Sequence, residues 1–255
     1  MQPLLRLENI GINFGGLTAL DSVDFQVEKG KVFSLIGPNG AGKSTVFNVI
    51  TGIYSPTSGR VFFKDIDITG KKPYTITDFG ITRTFQNIRL FKNMTVLDNV
   101  RIGCHTRGKA GFIGALGRFG KVKEEERQIA KRADEVLTVV GLSDKSESLA
   151  KNLSYGDQRR LEIARALASS PELMLLDEPA AGMNAQEKQG LMEVIRNICA
   201  MGLTVLLVEH DMKFVMGISD HVIVLDYGQM IAGGTPDQVQ NDPRVINAYL
   251  GKEVG

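Results

Sequence analysis

The stretch GPNGAGKST, residues 37–45, decides the fold of this chain. It fits the pattern G-x-x-x-x-G-K-[ST], which is typical of loops that bind phosphate groups. The apolar run KVFSLIG (31–37) reads as a strand that leads into the loop, and KSTVFNVITGI (43–53) reads as the helix that follows it. Because the pattern requires a strand before it and a helix after it, this context supports a phosphate-binding loop.

The residue types in this loop suit the binding of a polyphosphate. Glycines allow backbone N–H groups to converge on phosphate oxygens, and the following helix offers the positive end of its dipole. We expect Lys43 to reach the β- and γ-phosphates as a point charge and Ser44 to give its hydroxyl oxygen to Mg²⁺. The predicted nucleotide-binding residues of the loop are Gly37, Pro38, Asn39, Gly40, Ala41, Gly42, Lys43, Ser44 and Thr45.

The composition is that of an ordinary globular protein. The chain has 255 residues, of which 43% are hydrophobic and 23% are charged, so it can bury a large core. Its formal net charge of +1 gives no global field that would attract nucleic acid, and no nucleic-acid partner is predicted. The two cysteines, Cys104 and Cys199, form neither a metal-binding nor a disulfide pattern, and we expect free thiols in a reducing cytosol.

Membrane signals are not predicted in this sequence. The first residues, MQPLLRLENI, lack the charged start and long apolar run of a signal peptide. No uninterrupted apolar stretch approaches the length that a bilayer crossing requires. If the protein works at a membrane, we therefore expect other subunits to hold it there.

Short apolar runs alternate with helical patterns along the chain. ELMLLDE (172–178) and LTVLLVEH (203–210) read as buried strands between helices, which predicts a parallel sheet covered by helices. The first 30 or so residues, together with 60–70, look antiparallel, whereas the region 93–157 reads as an inserted helical lobe. We therefore predict an α/β fold in one domain, 1–255, with a P-loop NTPase (RecA-like) core, an antiparallel β subdomain and an α-helical lobe.

Within the lobe, GKAGFIGALGRFG (108–120) places a glycine at every third residue. Five such glycines without proline cannot hold a collagen triple helix. Residues 107–132 contain eight Lys and Arg against three Glu, which is a local excess of five positive charges. Two interpretations stay open, namely a solvated loop that enters a helix, and a surface that faces a membrane or a partner.

Two acids end the buried strand LMLLDE (173–178). A strand this hydrophobic tolerates charged residues only at its carboxyl end, where parallel sheets bind their ligands. We expect Asp177 to support Mg²⁺, through a water molecule, and Glu178 to polarise the water that attacks the phosphate. The alternative is that both acids only cap the next helix, around PAAGMN (179–184).

A histidine follows the second core strand in the same way. In VLLVEHD (205–211), His210 ends the strand and should emerge at the same edge of the sheet. It could hold the γ-phosphate and help to position Glu178. His105, in the basic lobe, and His221, just before another strand, are interpreted as structural or solvated.

A second helix start, LSYGDQ (153–158), also looks suited to an anion. Ser154 and Gly156 stand just before RRLEIARALA (159–168), which reads as a helix. A serine and a glycine at a helix start form a typical anion-binding cap. This stretch lies more than 100 residues after the phosphate loop, so the chain carries two predicted phosphate-binding helix starts.

Taken together, these motifs resemble those of the nucleotide-binding subunits of ATP-binding-cassette (ABC) transporters. The phosphate loop, RTFQ (83–86), LSYGDQ, LMLLDE (173–178) and VEHD (208–211) occur in the family's order, and the resemblance covers nearly the whole chain. ATPases of this family work as head-to-tail dimers. The resemblance therefore implies that Ser154 and Gly156 bind, in trans, the γ-phosphate held by the partner's phosphate loop.

The resemblance also implies roles for two further residues. Gln86 would contact Mg²⁺ or water and report the nucleotide state to the helical lobe, which docks on membrane subunits. Phe14 matches the family's adenine-stacking position, although it could also be a core residue of an N-terminal strand. The predicted catalytic residues are Lys43, Gln86, Glu178 and His210, and the predicted metal-binding residues are Ser44, Gln86 and Asp177.

The implied reaction is hydrolysis of ATP, with Mg²⁺, by in-line attack of water on the γ-phosphate. Since the site is completed by the partner, a lone subunit should bind ATP and hydrolyse it poorly. Two segments depart from the commonest family pattern. Tyr155 and Asp157 replace residues of LSGGQ, and AAGMN (180–184) replaces SALD, which leaves the dimer contacts at 180–184 open.

A closer resemblance is to the larger of the two ATPases in bacterial high-affinity branched-chain amino-acid importers. It rests on RTFQNIRLFKNMTVLDNV (83–100), LSYGDQRRLEIARAL (153–167), MLLDEPAAGMN (174–184), VEHDMKFVMGISD (208–220) and the C-terminal GTPDQVQNDPRVINAYLG (234–251). It implies a second ATPase subunit, identical or homologous, two membrane-spanning permease subunits and, indirectly, a periplasmic binding protein for Leu, Ile or Val. The implied location is peripheral, on the cytoplasmic face of the inner (plasma) membrane.

Other functions remain open at this point. The ATPases of lipopolysaccharide export and of urea or amide uptake have similar sequences, and nothing in this chain reads the cargo. A non-transport ABC protein, in DNA repair or translation, is disfavoured because such proteins usually carry two cassettes or a long coiled-coil insertion.

Overall fold

The computed structural model describes residues 2–104 and 119–250, with side chains for 2–104 and 124–249. His105 and most of the glycine-rich stretch 108–120 lie outside the described residues, so their interpretations stay predictions. The described strands, in chain order, are β1 (Leu5–Phe14), β2 (Leu17–Val27), β3 (Val32–Ile36), β4 (Ser58–Phe63), β5 (Ile66–Asp67), β6 (Ile81–Arg83), β7 (Leu173–Asp177), β8 (Thr204–Val208), β9 (His221–Asp226) and β10 (Gln229–Gly234).

The larger sheet has the order β10-β9-β3-β8-β7-β6. Its strands from β9 to β6 are parallel, and β10 is antiparallel to β9. Every residue of β3, β7 and β8 is buried, because helices cover both faces of a parallel sheet and favour runs of branched apolar side chains. The predicted α/β fold with a P-loop NTPase core is confirmed.

The smaller sheet has the order β2-β1-β4-β5, and all of its strand pairs are antiparallel. This is the predicted antiparallel part, formed by the first strands of the chain and by the hairpin of β4 and β5. Buried and exposed residues largely alternate along β2, as expected for a sheet with one face in the core.

The described helices lie between strands or after the last strand along the chain. In chain order the described helices are α1 (Lys43–Ile50), α2 (Pro73–Phe79), α3 (Val96–Cys104), α4 (Phe119–Val140), α5 (Tyr155–Ala168), α6 (Ala185–Ala200), α7 (Met212–Ile218), α8 (Pro236–Gln240) and α9 (Pro243–Leu250). None of these described helices is both long enough and apolar enough for a bilayer crossing.

The chain divides into two compact units. The first unit consists of the segments up to Gln86, Glu172–Gly182, and from Cys199 onward, and it contains the described strands of both sheets. The second unit consists of Asn87–Pro171 and Met183–Ile198 and is helical.

The second unit is larger than the predicted lobe, 93–157, because α5 packs tightly against α3. A Cβ atom on Gly103 of α3 would lie 2.1 Å from the backbone oxygen of Arg165 on α5, so glycine permits a close crossing of the two helices. Both helices also pack against α4, whose buried residues Val136, Leu137 and Val140 follow helical spacing. That all of 1–255 forms a single cassette domain stays a prediction.

Candidate functional site

The loop between β3 and α1 has a backbone that glycine makes possible. Gly37 has φ +150°, and a Cβ atom there would lie 2.1 Å from the backbone oxygen of Leu225. Gly42 has φ +100° and would place a Cβ atom 2.7 Å from a methyl carbon of Leu20. As the N-cap of α1, Gly42 offers no side chain to the first amides of that helix, which suits a helix start that receives an anion.

Lys43 is held inside this loop. Its side chain is buried, and Nζ donates hydrogen bonds to the backbone oxygens of Gly37 at 2.7 Å and Pro38 at 2.9 Å. A buried ammonium needs such acceptors, because burial without them would be costly. The two carbonyls therefore hold the Lys43 ammonium inside the loop, and Lys43 lines the cavity next to it.

Three of the predicted catalytic residues form one cluster in the first unit. Glu178 Oε2 accepts a hydrogen bond of 2.8 Å from Gln86 Nε2, and Glu178 Oε1 lies 3.0 Å from His210 Nε2. The backbone N–H of Glu178 donates to the oxygen of Val208 at the end of β8, which ties the end of β7 to the neighbouring strand. Both carboxylate oxygens of Glu178 thus have an oriented partner.

The backbone of Glu178 is unusual. Its φ is +47°, a left-handed conformation that non-glycine residues seldom adopt and that typically costs about 1–3 kcal/mol. Such strain persists only where the surroundings impose it and is concentrated at functional sites. Glu178 therefore combines a left-handed backbone, which several other non-glycine residues of the chain also adopt, with the side-chain cluster.

Asp177, one residue earlier, is paired with an arginine that the sequence analysis did not assign to the site. Arg83 Nη2 donates to Asp177 Oδ2 at 2.7 Å, and Arg83 Nη1 donates to Asn48 Oδ1 at 2.7 Å. The guanidinium also lies over the rings of Phe47 and Phe85, 5.4 and 5.5 Å from their centroids. A sequence signal was available, since Arg83 opens the RTFQ motif, and in the structure it ends β6.

Glu209 is a second residue that the sequence analysis missed. Its buried carboxylate accepts backbone hydrogen bonds from Ala180 at 2.6 Å and from His210 at 3.1 Å. Burial raises the pKa of Glu209 above the ordinary value for glutamate, and these two bonds oppose that rise. The carboxylate joins the backbone just after Glu178 to the backbone of His210, so it helps to position both.

The phosphate loop, Glu178 and His210 line one cavity of about 470 Å³. Its wall is completed by Leu17, Thr18 and Ala19 of β2 and by Tyr227, and its loop residues are 39–45. The cavity thus combines backbone amides, an ammonium, a serine hydroxyl and a carboxylate held by a histidine. These groups are suited to a polyphosphate whose terminal phosphate meets a polarised water.

Phe14 is not among the residues that line this cavity. Its ring is 44% exposed and meets the ring of Tyr54 edge to face, with centroids 5.1 Å apart. Leu17 and Tyr227, which are 70% and 77% exposed, line the cavity instead. The predicted stacking role of Phe14 therefore stays a prediction, and Tyr227 is an aromatic candidate that the sequence analysis did not name.

The predicted metal-binding residues supply oxygen atoms of the kind that Mg²⁺ prefers. Ser44 carries a hydroxyl and Gln86 carries an amide oxygen, and the amide nitrogen of Gln86 donates to Glu178. Asp177 already neutralises Arg83 with one carboxylate oxygen, which favours contact with a cation through water over direct ligation. The described residues contain no cluster of three or more His, Cys, Asp or Glu that could bind a metal ion by itself. This donor set fits a cation that brings phosphate and water ligands with it.

The predicted trans residues lie in the second unit, at the start of α5. Ser154 caps the helix, since its Oγ accepts a 3.2 Å hydrogen bond from the backbone N–H of Asp157. The N–H of Gly156 donates to Glu187 Oε1 at 3.3 Å. Asp157 itself accepts from Lys145 at 2.6 Å, so one of the two residues that depart from the commonest motif stabilises the lobe locally.

Comparison with known families identifies the family that carries this phosphate loop, the cluster around Glu178 and the capped start of α5. The family described as "ABC transporter" matches residues 20–181, which include the phosphate loop, Gln86, the start of α5 and Glu178. The chain belongs to the ABC transporter family. A second family, "Branched-chain amino acid ATP-binding cassette transporter", matches residues 229–255 of this ABC protein.

Relatives of this ABC protein match nearly its full length. It is 44% identical over 252 residues to the "High-affinity branched-chain amino acid transport ATP-binding protein LivG" of Escherichia coli (strain K12), covering 98% of this chain and 99% of that protein. It is 43% identical to the corresponding protein BraF of Pseudomonas aeruginosa over the same number of residues. These similarities confirm the resemblance on which the sequence analysis relied.

Solved structures agree with this assignment. A nucleotide-free ATP-binding cassette from an ABC transporter superposes with a TM-score of 0.84 at 37% identity, covering 97% of this chain and 99% of that one. The ADP conformation of another ATP-binding cassette gives a TM-score of 0.86 at 38% identity, covering 98% and 100%. The roles of individual residues in this ABC protein stay predictions.

The pair of Arg83 and Asp177 leads to a prediction about the stability of the ABC protein. We expect Arg83→Met to lower the free energy of unfolding by about 3 kcal/mol, because it leaves a nearly buried carboxylate without its partner. The two side chains are only 10% and 12% exposed. Urea unfolding followed by circular dichroism measures the effect.

The matched control for this prediction is Lys64→Met. It breaks the more exposed ion pair of Lys64 with Glu172 and should cost less than about 1 kcal/mol. If both variants lose the same stability, the pair of Arg83 and Asp177 is not the structural contact that its burial indicates.

Proposed function

We propose that the chain is the ATP-hydrolysing subunit of an ABC importer that takes up branched-chain, hydrophobic amino acids through separate membrane subunits. The observation that carries this proposal is the cavity in which the phosphate loop faces Glu178, with Glu178 held between Gln86 and His210. The cargo is supported by the near full-length similarity to proteins named for branched-chain amino-acid transport.

The chemistry of hydrolysis follows from the positions of the side chains. Lys43 and the loop amides bind the β- and γ-phosphates and neutralise the charge that develops on them. Glu178 orients the attacking water or accepts a proton from that water. His210 keeps the carboxylate of Glu178 turned toward the cavity. Because phosphoryl transfer needs little covalent help from the protein, this positioning accounts for most of the catalysis.

Mg²⁺ accompanies ATP in this proposal. Ser44 and the amide oxygen of Gln86 would bind the ion, and Asp177 would reach it through a water molecule. The ion would supply positive charge to the phosphates. Gln86, which donates to Glu178, would then contact the metal as well, which suits a residue whose position depends on the bound nucleotide.

The partner subunit completes the site. In a head-to-tail dimer, Ser154 and Gly156 of one subunit bind the γ-phosphate held by the phosphate loop of the other. This explains why the chain carries two phosphate-binding helix starts. The partner is a second ATPase, identical or homologous. Two permease subunits hold the dimer at the cytoplasmic face of the inner membrane, and a periplasmic binding protein delivers the amino acid to them.

The test is to purify the chain under mild conditions from membranes of the cells that make it. We expect two different membrane subunits and a smaller second ATPase to accompany it. Uptake of labelled leucine, isoleucine and valine should fail without the chain and return with the wild type, whereas the Glu178→Gln variant should not restore it. The proposed amino-acid cargo would be overturned if membrane subunits of lipopolysaccharide export accompanied the chain. It would also be overturned if the chain supported uptake of urea or amides in place of amino acids. A chain that binds no nucleotide would overturn the whole proposal.

A further inference from the structure

A carboxylate of the chain itself covers the amide of Gly156. Glu187, in the first turn of α6, accepts the N–H of Gly156 on Oε1 at 3.3 Å. The contact is intimate, since a Cβ atom on Gly156 would lie 2.9 Å from the same oxygen and 3.0 Å from Glu187 Cγ. Both residues belong to the second unit of the chain.

Glu187 is also anchored at the start of its own helix. Its other carboxylate oxygen, Oε2, accepts the N–H of Asn184 at 3.0 Å, and its own N–H donates to Asn184 Oδ1 at 3.0 Å. This reciprocal pair is a capping box that limits the rotation of the side chain. One carboxylate therefore bridges two backbone amides, one before α6 and one at the start of α5.

The bridged amide is one that the γ-phosphate of the partner's ATP needs. A backbone N–H has one hydrogen to donate, so the carboxylate and the phosphate compete for it. The two ligands also carry charge of the same sign, and their repulsion is strong where water is excluded. Closure of the dimer on ATP must therefore displace Glu187 or tolerate its charge.

We propose that Glu187 is a positioning residue that holds the Gly156 amide in the absence of a partner and sets the nucleotide concentration at which the dimer closes. This inference rests on the proposed function, because it takes the role of Gly156 in trans from there. It also gives a role to the segment 180–184, which departs from the commonest family pattern. Asn184 ends that segment, and its capping box with Glu187 directs the carboxylate toward α5.

The experiment measures nucleotide-driven association of the full chain, both with itself and with the second ATPase that co-purifies with it, by sedimentation, with a non-hydrolysable ATP analogue as the probe. We expect Glu187→Ala to lower the analogue concentration for half-association by about fivefold to tenfold, because removing one charged hydrogen-bond competitor is worth roughly this factor. Glu187→Gln keeps an acceptor and loses the charge, so it should fall between the wild type and Glu187→Ala. Binding of a fluorescent ATP analogue to the lone chain should not change, since the phosphate loop of the same chain is intact.

Two control variants separate this role from a merely structural one. Glu193→Gln removes the same charge from an exposed position on α6 and should leave the association unchanged. Gln238→Ala removes the equivalent capping-box contact from α8, where Gln238 accepts the N–H of Thr235 at 2.9 Å. It should lower thermal stability as Glu187→Ala does, without moving the half-association concentration.

The outcomes are distinct. A half-association concentration that is the same in wild type and Glu187→Ala overturns the inference, as does absence of nucleotide-driven association in every variant. An equal shift in Gln238→Ala overturns it too, because helix capping alone would then account for the effect. Failure of the proposed function is recognised separately, because the lone chain would then not bind the fluorescent ATP analogue.

Discussion

Glu178→Gln is expected to retain ATP binding and to lose at least about 10²-fold in turnover, which is the usual scale for a positioned general base. The substitution preserves the size of the side chain and the oxygen that can accept from Gln86. It removes the basic oxygen next to His210 and the negative charge that polarises water. Because Glu178 lies beyond the phosphate loop, the affinity for the nucleotide should stay near that of the wild type.

Single-turnover hydrolysis and fluorescent-nucleotide binding on the same preparation measure these two expectations. The matched control is Glu172→Gln, which lies just before β7, at the opposite end of the strand that leads to Glu178. That residue is engaged in a surface ion pair with Lys64, so its turnover should equal that of the wild type. An unchanged hydrolysis rate in Glu178→Gln would remove Glu178 from the role of base.

Lys43→Met is expected to weaken nucleotide binding by about 10²-fold. Charge-assisted hydrogen bonds contribute roughly 1.5–3 kcal/mol each, and the variant would lose the bonds that the ammonium donates to the β- and γ-phosphates. The fold should survive. Lys43 donates to the backbone oxygens of Gly37 and Pro38, and its removal eliminates a buried charge together with those two contacts. Calorimetric titration with ATP and with ADP measures the affinity, and thermal unfolding checks the fold.

The control for this variant is Lys31→Met, just before β3, at the far end of the strand that leads into the phosphate loop. Lys31 forms a surface ion pair with Glu28. Lys31→Met removes the same charge as Lys43→Met, and we expect no change in its affinity for ATP or ADP. If Lys43→Met binds ATP as tightly as Lys31→Met does, the ammonium held by the loop carbonyls does not contact the phosphates.

Part of the site could be predicted because its motifs are local and end at one edge of the sheet. Glu178 and His210 each follow a buried strand, and neighbouring parallel strands bring their carboxyl ends together. The strand pairing of β7 with β8 makes them neighbours, and their side chains meet at 3.0 Å. Gln86 was assigned by family resemblance alone, and the structure places its amide 2.8 Å from Glu178.

Other contacts could not be predicted, because their partners are far apart along the chain. Arg83 and Asp177 are separated by 94 residues, and Gly156 and Glu187 by 31 residues. No local pattern states which arginine will neutralise which carboxylate, since that depends on the order of strands and on the crossing of helices. The same reason explains why the predicted lobe ended at 157, whereas packing of Gly103 against α5 extends the second unit beyond it.

By itself, the sequence determined the backbone of the phosphate loop, the two strand ends that carry Asp177, Glu178 and His210, and the helix start at Ser154. Each of these depends on residue types within a few positions of one another, where glycine freedom, capping and apolar alternation act. Only the tertiary structure decided which groups hold them: Arg83 on Asp177, Glu209 between Ala180 and His210, and Glu187 on the amide of Gly156. These are side-chain contacts across elements, and their geometry exists only after the sheet order and the helix packing have brought distant residues together.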